Sequence, residues 1–172
     1  MYTLFMRHDV GSIIRPDPLA FFLTWTTYGT WLPGDARGWV AKRGVQHAPN
    51  PRLARAMQRL LGSPRVSLNA CQRLIVEQAI REHCLFRGWT MYAVACRTTH
   101  VHAVVAAAQR SPEAVLLRLK ARCSRQLSDR LAAQGPWWTT GGSTRHVYDT
   151  RALENVVVYV SECQDKDRGD AW

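Results

Sequence analysis

No stretch of this 172-residue sequence stays apolar for anything near 18 residues, so no helix is expected to cross a membrane. The first residues, MYTLFMRHDVGSIIRPDP, have no continuous apolar run and no small-residue cleavage site, so no secretory leader is expected either. Paired cysteines are missing. Cys71, Cys84, Cys96, Cys123 and Cys163 are an odd number, scattered along the chain without a Cys-x-x-Cys. That spacing excludes a zinc ribbon and fits reduced thiols in a cytoplasmic setting, several of them acting as small core residues. Repeats, low-complexity tracts and interdomain linkers are also absent. Residues 1–172 are therefore read as one domain, long enough to bury a core without staples.

Acidic residues are few: thirteen Asp and Glu face twenty-three Lys and Arg, a net charge of +10. Lysine is scarce as well (Lys42, Lys120, Lys166), so arginine carries most of the positive charge. The planar guanidinium fork matches phosphate geometry, and an excess of this size favours a polyanionic partner. The remaining composition, 47% apolar and 21% charged, is that of an ordinary globular protein.

Residues 1–19 read as a loose arm broken by Pro16 and Pro18. AFFLTWTTY, 20–28, is rich in aromatic and β-branched residues and predicts a strand. An inserted segment, 29–65, follows. Its Gly- and Pro-studded loop carries Trp31 and Trp39, and a short basic helix over 50–62 sets Arg52, Arg55 and Arg59 at helical spacing. An amphipathic helix is predicted over 67–87, with Leu68, Cys71, Ile75 and Ala79 inward and Gly88 as its stop. Two strands come next, 91–97 and the HVHAVVAAA run, with Tyr92, Val94 and Cys96 on one side of the first. Ser111-Pro112-Glu113 is a strong helix start. The helix it opens, to about 133, buries Leu116, Leu119, Cys123 and Leu127 and carries Arg118, Arg122 and Arg125 on another face. After Trp137, Trp138 and a Gly141-Gly142 turn, STRHVYDT gives a short strand, and Asp149 or Thr150 can cap a last helix over 151–163. Its packing side carries Val156, Val157 and Val160, with Asn155, Tyr159, Glu162 and Cys163 on another face. The class is α+β. The order predicts a ferredoxin-like βαββαβ core, a four-stranded antiparallel sheet with helices on one face, extended by a C-terminal helix that carries Tyr159.

His100 and His102 fall on the third core strand. Residues i and i+2 share a face of a strand, so the two imidazoles emerge side by side and can offer nitrogens to one divalent ion. A surface pair needing no metal is the plainer alternative.

Four stretches carry a family likeness: TWTTYGTWLPGD (24–35), THVHAVV (99–105), WWTTGGSTRHVYD (137–149) and YVSECQ (159–164). Together the chain resembles the HUH single-tyrosine transposases, in the branch of the REP-associated tyrosine transposases. The resemblance implies an enzyme that cleaves and rejoins single-stranded or hairpin DNA, as a monomer or homodimer, through a 5′-phosphotyrosine with Mg2+ or Mn2+. Tyr159 is the position that matches the nucleophile; Tyr148 reads as structural and is the next residue to test should Tyr159→Phe still trap DNA. His100 and His102 match two metal ligands. Relatives place Gln or Asn four residues after the tyrosine, where this chain has Cys163; Gln164, or alternatively Glu162, is the expected third ligand. Arg118, Arg122, Arg125, Arg52, Arg55 and Arg59 are the expected DNA contacts. The competing expectation is a non-catalytic descendant that binds hairpin DNA or RNA.

Overall fold

The computed structural model describes residues 17–41 and 45–162. Ten elements follow one another: β1 (Ala20–Thr26), β2 (Trp39–Val40), β3 (Gln46–His47), α1 (Pro51–Arg59), α2 (Ala70–Arg87), β4 (Thr90–Cys96), β5 (His100–Ala106), α3 (Pro112–Leu131), β6 (Ser143–Val147) and α4 (Thr150–Glu162). Strands β4, β5, β1 and β6 lie side by side in that order, antiparallel throughout, and β2 pairs with β3 in a separate two-stranded ribbon. With the ribbon and α1 set aside as the insertion, this is the βαββαβ arrangement the sequence predicts.

Alternation along the central strands divides the core in two. Phe21, Leu23 and Trp25 of β1, with Val101, Ala103 and Val105 of β5, face the buried stripes of α2 and α3. The alternate residues Ala20 and Val104, with Ala93 and Ala95 of β4, meet Val156 and Val160 of α4 on the other face. The core helices α2 and α3 thus share one face, as the order of elements predicts, and the added α4 crosses back over β4 and β5 from the opposite side. Its two fully buried valines each contribute roughly 1.5–3 kcal/mol by leaving water, enough to hold a thirteen-residue helix that would be marginal alone.

Local signals set the helix ends. Asn69 and Gln72 form a reciprocal capping box, so α2 begins at Ala70, not Ser67. Leu68 is still buried ahead of the helix, while Cys71, expected on the inner stripe, is exposed in its first turn. Gly88, in the left-handed conformation, ends the helix. The Asp149 carboxylate accepts the Ala152 amide at 2.8 Å and caps α4. In β4 the register slips between Met91 and Ala93. Tyr92 is the extra residue of this bulge and is exposed, so it does not share the side of Val94 and Cys96.

Two tryptophans anchor loops. The Trp31 indole N–H donates to the Gly38 carbonyl at 2.8 Å, and that of Trp137 to the Ser128 hydroxyl at 2.9 Å. Lys120 reaches from α3 to donate to the carbonyls of Thr139 and Gly141, fastening the turn before β6. Gly142 completes that turn. A Cβ there would come within 2.8 Å of both the Thr24 carbonyl oxygen and the Leu116 side chain, so only glycine lets β6 start flush against β1. Burial lifts the thiols of Cys84 and Cys96 to about 11 and about 12, and that of Cys123 higher still, as expected of core residues.

Candidate active site

The β4–β5 hairpin is tied firmly to the end of β1. The Arg97 amide donates to the His100 carbonyl at 2.8 Å, the Thr27 amide to the Thr99 carbonyl at 2.8 Å, and the Leu68 amide to the Thr98 carbonyl at 2.8 Å. The buried hydroxyl of Thr27 adds a bond to the Val66 carbonyl at 2.7 Å. This fixes the register that sets His100 opposite Thr26 and His102 opposite Thr24.

The two imidazoles lie together as the alternation requires, ring centroids 4.9 Å apart and planes at 70°. His102 is only 6% exposed. Its Nδ1 sits 2.7 Å from the Thr24 hydroxyl oxygen, while its buried Nε2 has no hydrogen-bond partner. Burial, reinforced by the neighbouring His100 and Arg97, pushes the His102 pKa down to about 3, so the ring is neutral at physiological pH. His100 is half-exposed, with the Thr99 hydroxyl 3.4 Å from its Nδ1.

Helix α4 brings Tyr159 onto this pair. Its ring meets His102 edge-on, centroids 5.8 Å apart and planes at 73°, and meets Phe22 at 6.1 Å and 85°. The sequence pattern sets Tyr159 apart from the packing side of its helix. The structure has it half-buried, packed on the sheet one turn from the buried Val156. Phe22 stacks on His102 at 5.5 Å and 22°, and the Arg145 guanidinium lies 5.2 Å above the Phe22 ring. A stack of Arg145, Phe22 and His102 thus spans β6, β1 and β5 and ends beside His100, with the tyrosine against its middle. Thr24, Phe22 and Arg145 were not singled out from the sequence. The alternation of β1 puts Phe22 and Thr24 on one face, but only the register shows which strand they meet.

The donor chemistry fits a divalent ion. A neutral, buried imidazole with one nitrogen bonded and the other unpartnered is the usual form of a histidine ligand, and a second imidazole stands beside it. Nitrogen donors alone suit borderline transition ions better than Mg2+, which demands oxygen ligands that a phosphate group supplies. Among the described residues no third Cys, Asp, Glu or His completes a ligand group. Glu162 is exposed at the end of α4, and Cys163 and Gln164 lie outside the described residues.

The arginines fall elsewhere. Arg118, Arg122 and Arg125 of α3 join Arg87, His83 and Phe86 of α2 around a cleft of about 580 Å³ between the two helices, on the side of the sheet away from Tyr159. Arg122 also pairs with Glu82 at 3.4 Å. Burial and three of these arginines lower the His83 pKa, a sign of concentrated positive charge. Arg87 was not singled out from the sequence, since its helix presents no arginine stripe of its own. Arg52, Arg55 and Arg59 are exposed on α1 and do not line this cleft. No helix of the described residues is long and apolar enough to cross a membrane.

No protein-family model matches the chain, and no curated protein matches it. Among solved structures the chain is similar to a REP-associated tyrosine transposase bound to a REP hairpin, with a TM-score of 0.49 and 12% identity over 87% of this chain and 70% of the other. It is also similar to a candidate transposase from Deinococcus radiodurans R1, with a TM-score of 0.44 and 15% identity over 86% of this chain and 94% of the other.

Proposed function

We propose that this chain is a metal-dependent DNA strand transferase of the single-tyrosine type, which cuts and rejoins single-stranded or hairpin DNA with Tyr159 as nucleophile. The observation that supports this most is the 5.8 Å between the ring centroids of Tyr159 and His102. The sequence selects these two positions separately, one by family likeness and one by strand alternation, and they meet on one face of the sheet.

In this reading the phenolic oxygen of Tyr159 attacks the scissile phosphorus, the P–O3′ bond breaks, and the departing 3′ oxygen takes the phenol's proton. The DNA is left with a 5′ phosphate esterified to the ring. The ester keeps the energy of the phosphodiester, so attack by another 3′ hydroxyl rejoins a strand without an external energy source. His100 and His102 would hold a divalent ion, Mn2+ or Mg2+, which would polarise the phosphate and offset its developing charge. Gln164 or Glu162 remains the proposed third ligand. Packing of the Tyr159 ring against Phe22 and His102 limits its rotation and keeps the nucleophile beside the histidine pair.

The test is covalent adduct formation on labelled single-stranded hairpin DNA with Mn2+ or Mg2+. Wild type should trap the DNA and Tyr159→Phe should not. A specific observation favours a second reading, a hairpin-binding protein without catalysis: the α2–α3 cleft gathers arginines independently of the His–Tyr centre. Tight hairpin binding by wild type with no adduct under any divalent ion would select it.

A further inference from the structure

We infer that Thr24 is a positioning residue, whose hydroxyl accepts the Nδ1–H of His102 and so leaves the buried Nε2 of that ring as a bare lone pair for a divalent cation. The cation rests on the proposed reading of His102 as a ligand; the hydrogen bond does not.

Three constraints converge on this one ring. Antiparallel pairing sets Thr24 directly across from His102, with the hydroxyl oxygen 2.7 Å from Nδ1. Phe22 stacks on the imidazole at 22° and fixes the plane of the ring. The chain at Gly142 presses on the Thr24 backbone so closely that no Cβ fits between, which holds the threonine in place.

The bond can run in either direction, and burial decides which. If Thr24 donated to Nδ1, the proton would sit on Nε2, where a donor nine-tenths buried would face no acceptor. An orphaned buried N–H is among the rarest features of folded proteins and costs about 1–3 kcal/mol. If Nδ1 carries the proton, Thr24 accepts it, and the hydroxyl of this half-exposed residue can turn its own hydrogen away from the ring. Nε2 is then an acceptor awaiting a partner, and a cation is the partner that a bare imidazole nitrogen suits best. Carboxylates and carbonyls commonly hold ligand histidines in this way, and a threonine hydroxyl opposite on the next strand has the same geometry.

The tautomer can be read without DNA and without metal. In ring-15N-labelled protein at neutral pH, long-range proton–nitrogen spectra assign the protonated nitrogen of His102, whose signals are identified by their loss in His102→Asn. Wild type and Thr24→Ser should show His102 protonated at Nδ1. Thr24→Val, which keeps the β-branched shape and removes the acceptor, should shift the ring toward the Nε2–H form. Titration with Mn2+ should then show affinity roughly 10–100-fold weaker for Thr24→Val and retained by Thr24→Ser. Nε2–H in the wild type, or a Thr24→Val protein with unchanged tautomer and unchanged Mn2+ affinity, overturns the inference. A wild type with the Nδ1–H tautomer that binds no Mn2+ supports the Thr24–His102 bond and overturns the metal role of His102.

Discussion

Tyr159 meets His102 edge to face at 5.8 Å, on the side of the sheet that α4 covers. The contact makes the tyrosine both a packing residue and the proposed nucleophile, and the two roles are separable by substitution. Tyr159→Phe keeps the ring edge against Phe22 and His102 and removes the hydroxyl, so the unfolding free energy should move by no more than about 1.5 kcal/mol, the net worth of one hydrogen bond. Tyr159→Ala leaves a gap beside a half-buried ring and should cost about 1–3 kcal/mol. Urea denaturation of the three proteins checks this, with adduct formation lost in both variants. An Ala variant as stable as wild type would mean that the ring does not pack on the sheet.

His102 gives the fold a pH dependence with a defined sign. Its folded pKa, about 3, lies below the ordinary value of 6.5. Between those limits the unfolded chain binds the extra proton, so stability falls as pH is lowered through 6.5 toward 3. Each pH unit inside the window is worth at most about 1.4 kcal/mol, so metal-free protein should lose roughly 2 kcal/mol through this group between pH 7 and pH 5. Denaturant midpoints of wild type and His102→Asn, compared at both pH values with a chelator present, isolate it. Equal losses in the two proteins would show that the ring is protonated in the folded state or is not buried.

The sequence places most of the elements because each carries its own signal: capping residues at Ser111 and Asp149, alternation in β1 and β5, and a 3.6-residue stripe in α2 and α3. The His pair is legible for the same reason, since alternation alone puts residues 100 and 102 together. What pairing decides stays hidden. Nothing local marks Thr24 as the partner of His102 or stacks Phe22 between it and Arg145, because strand register is a property of two segments. The side taken by α4 is hidden too: an apolar stripe shows that a helix packs, not on which face of a sheet. For that reason the sequence pattern leaves Tyr159 outside the packing stripe, although its ring lies a single turn from Val156 and packs on the sheet.

Gly142 tests whether the Gly-Gly-Ser turn is structural. A methyl group there would meet a backbone carbonyl and a buried leucine, neither of which can move without opening the β1–β6 pair. Gly142→Ala should destabilise the fold by about 1–3 kcal/mol, the usual range for overpacking. Gly135, where an added Cβ meets nothing within 4 Å, is the control: Gly135→Ala should cost less, the remaining strain coming from its positive φ. Equal melting temperatures for the Gly142→Ala protein and wild type would remove the close approach as the reason for this glycine.

The arginine cleft and the His–Tyr centre lie on opposite faces of the sheet, so one DNA molecule reaches both only by passing around an edge. If the cleft binds phosphate, its role is affinity, not chemistry, and the two should come apart in experiment. Arg118→Gln, Arg122→Gln and Arg125→Gln each remove a cation that releases counterion on binding, so each should flatten the slope of log affinity against log salt by about 0.7–0.9. Arg122 pairs with Glu82, so its substitution also frees an acid and should weaken binding most at low salt. At saturating DNA the single-turnover rate of adduct formation should stay near that of wild type in all three. His102→Asn should do the opposite, with the affinity and salt slope of wild type and no adduct. Should the arginine variants lose adduct at saturating DNA with unchanged affinity, the cleft would be placing the scissile strand instead of holding the DNA. Unchanged affinity and an unchanged salt slope together with a normal rate would mean that the DNA path lies elsewhere, with the exposed Arg52, Arg55 and Arg59 of α1 as the next cations to remove.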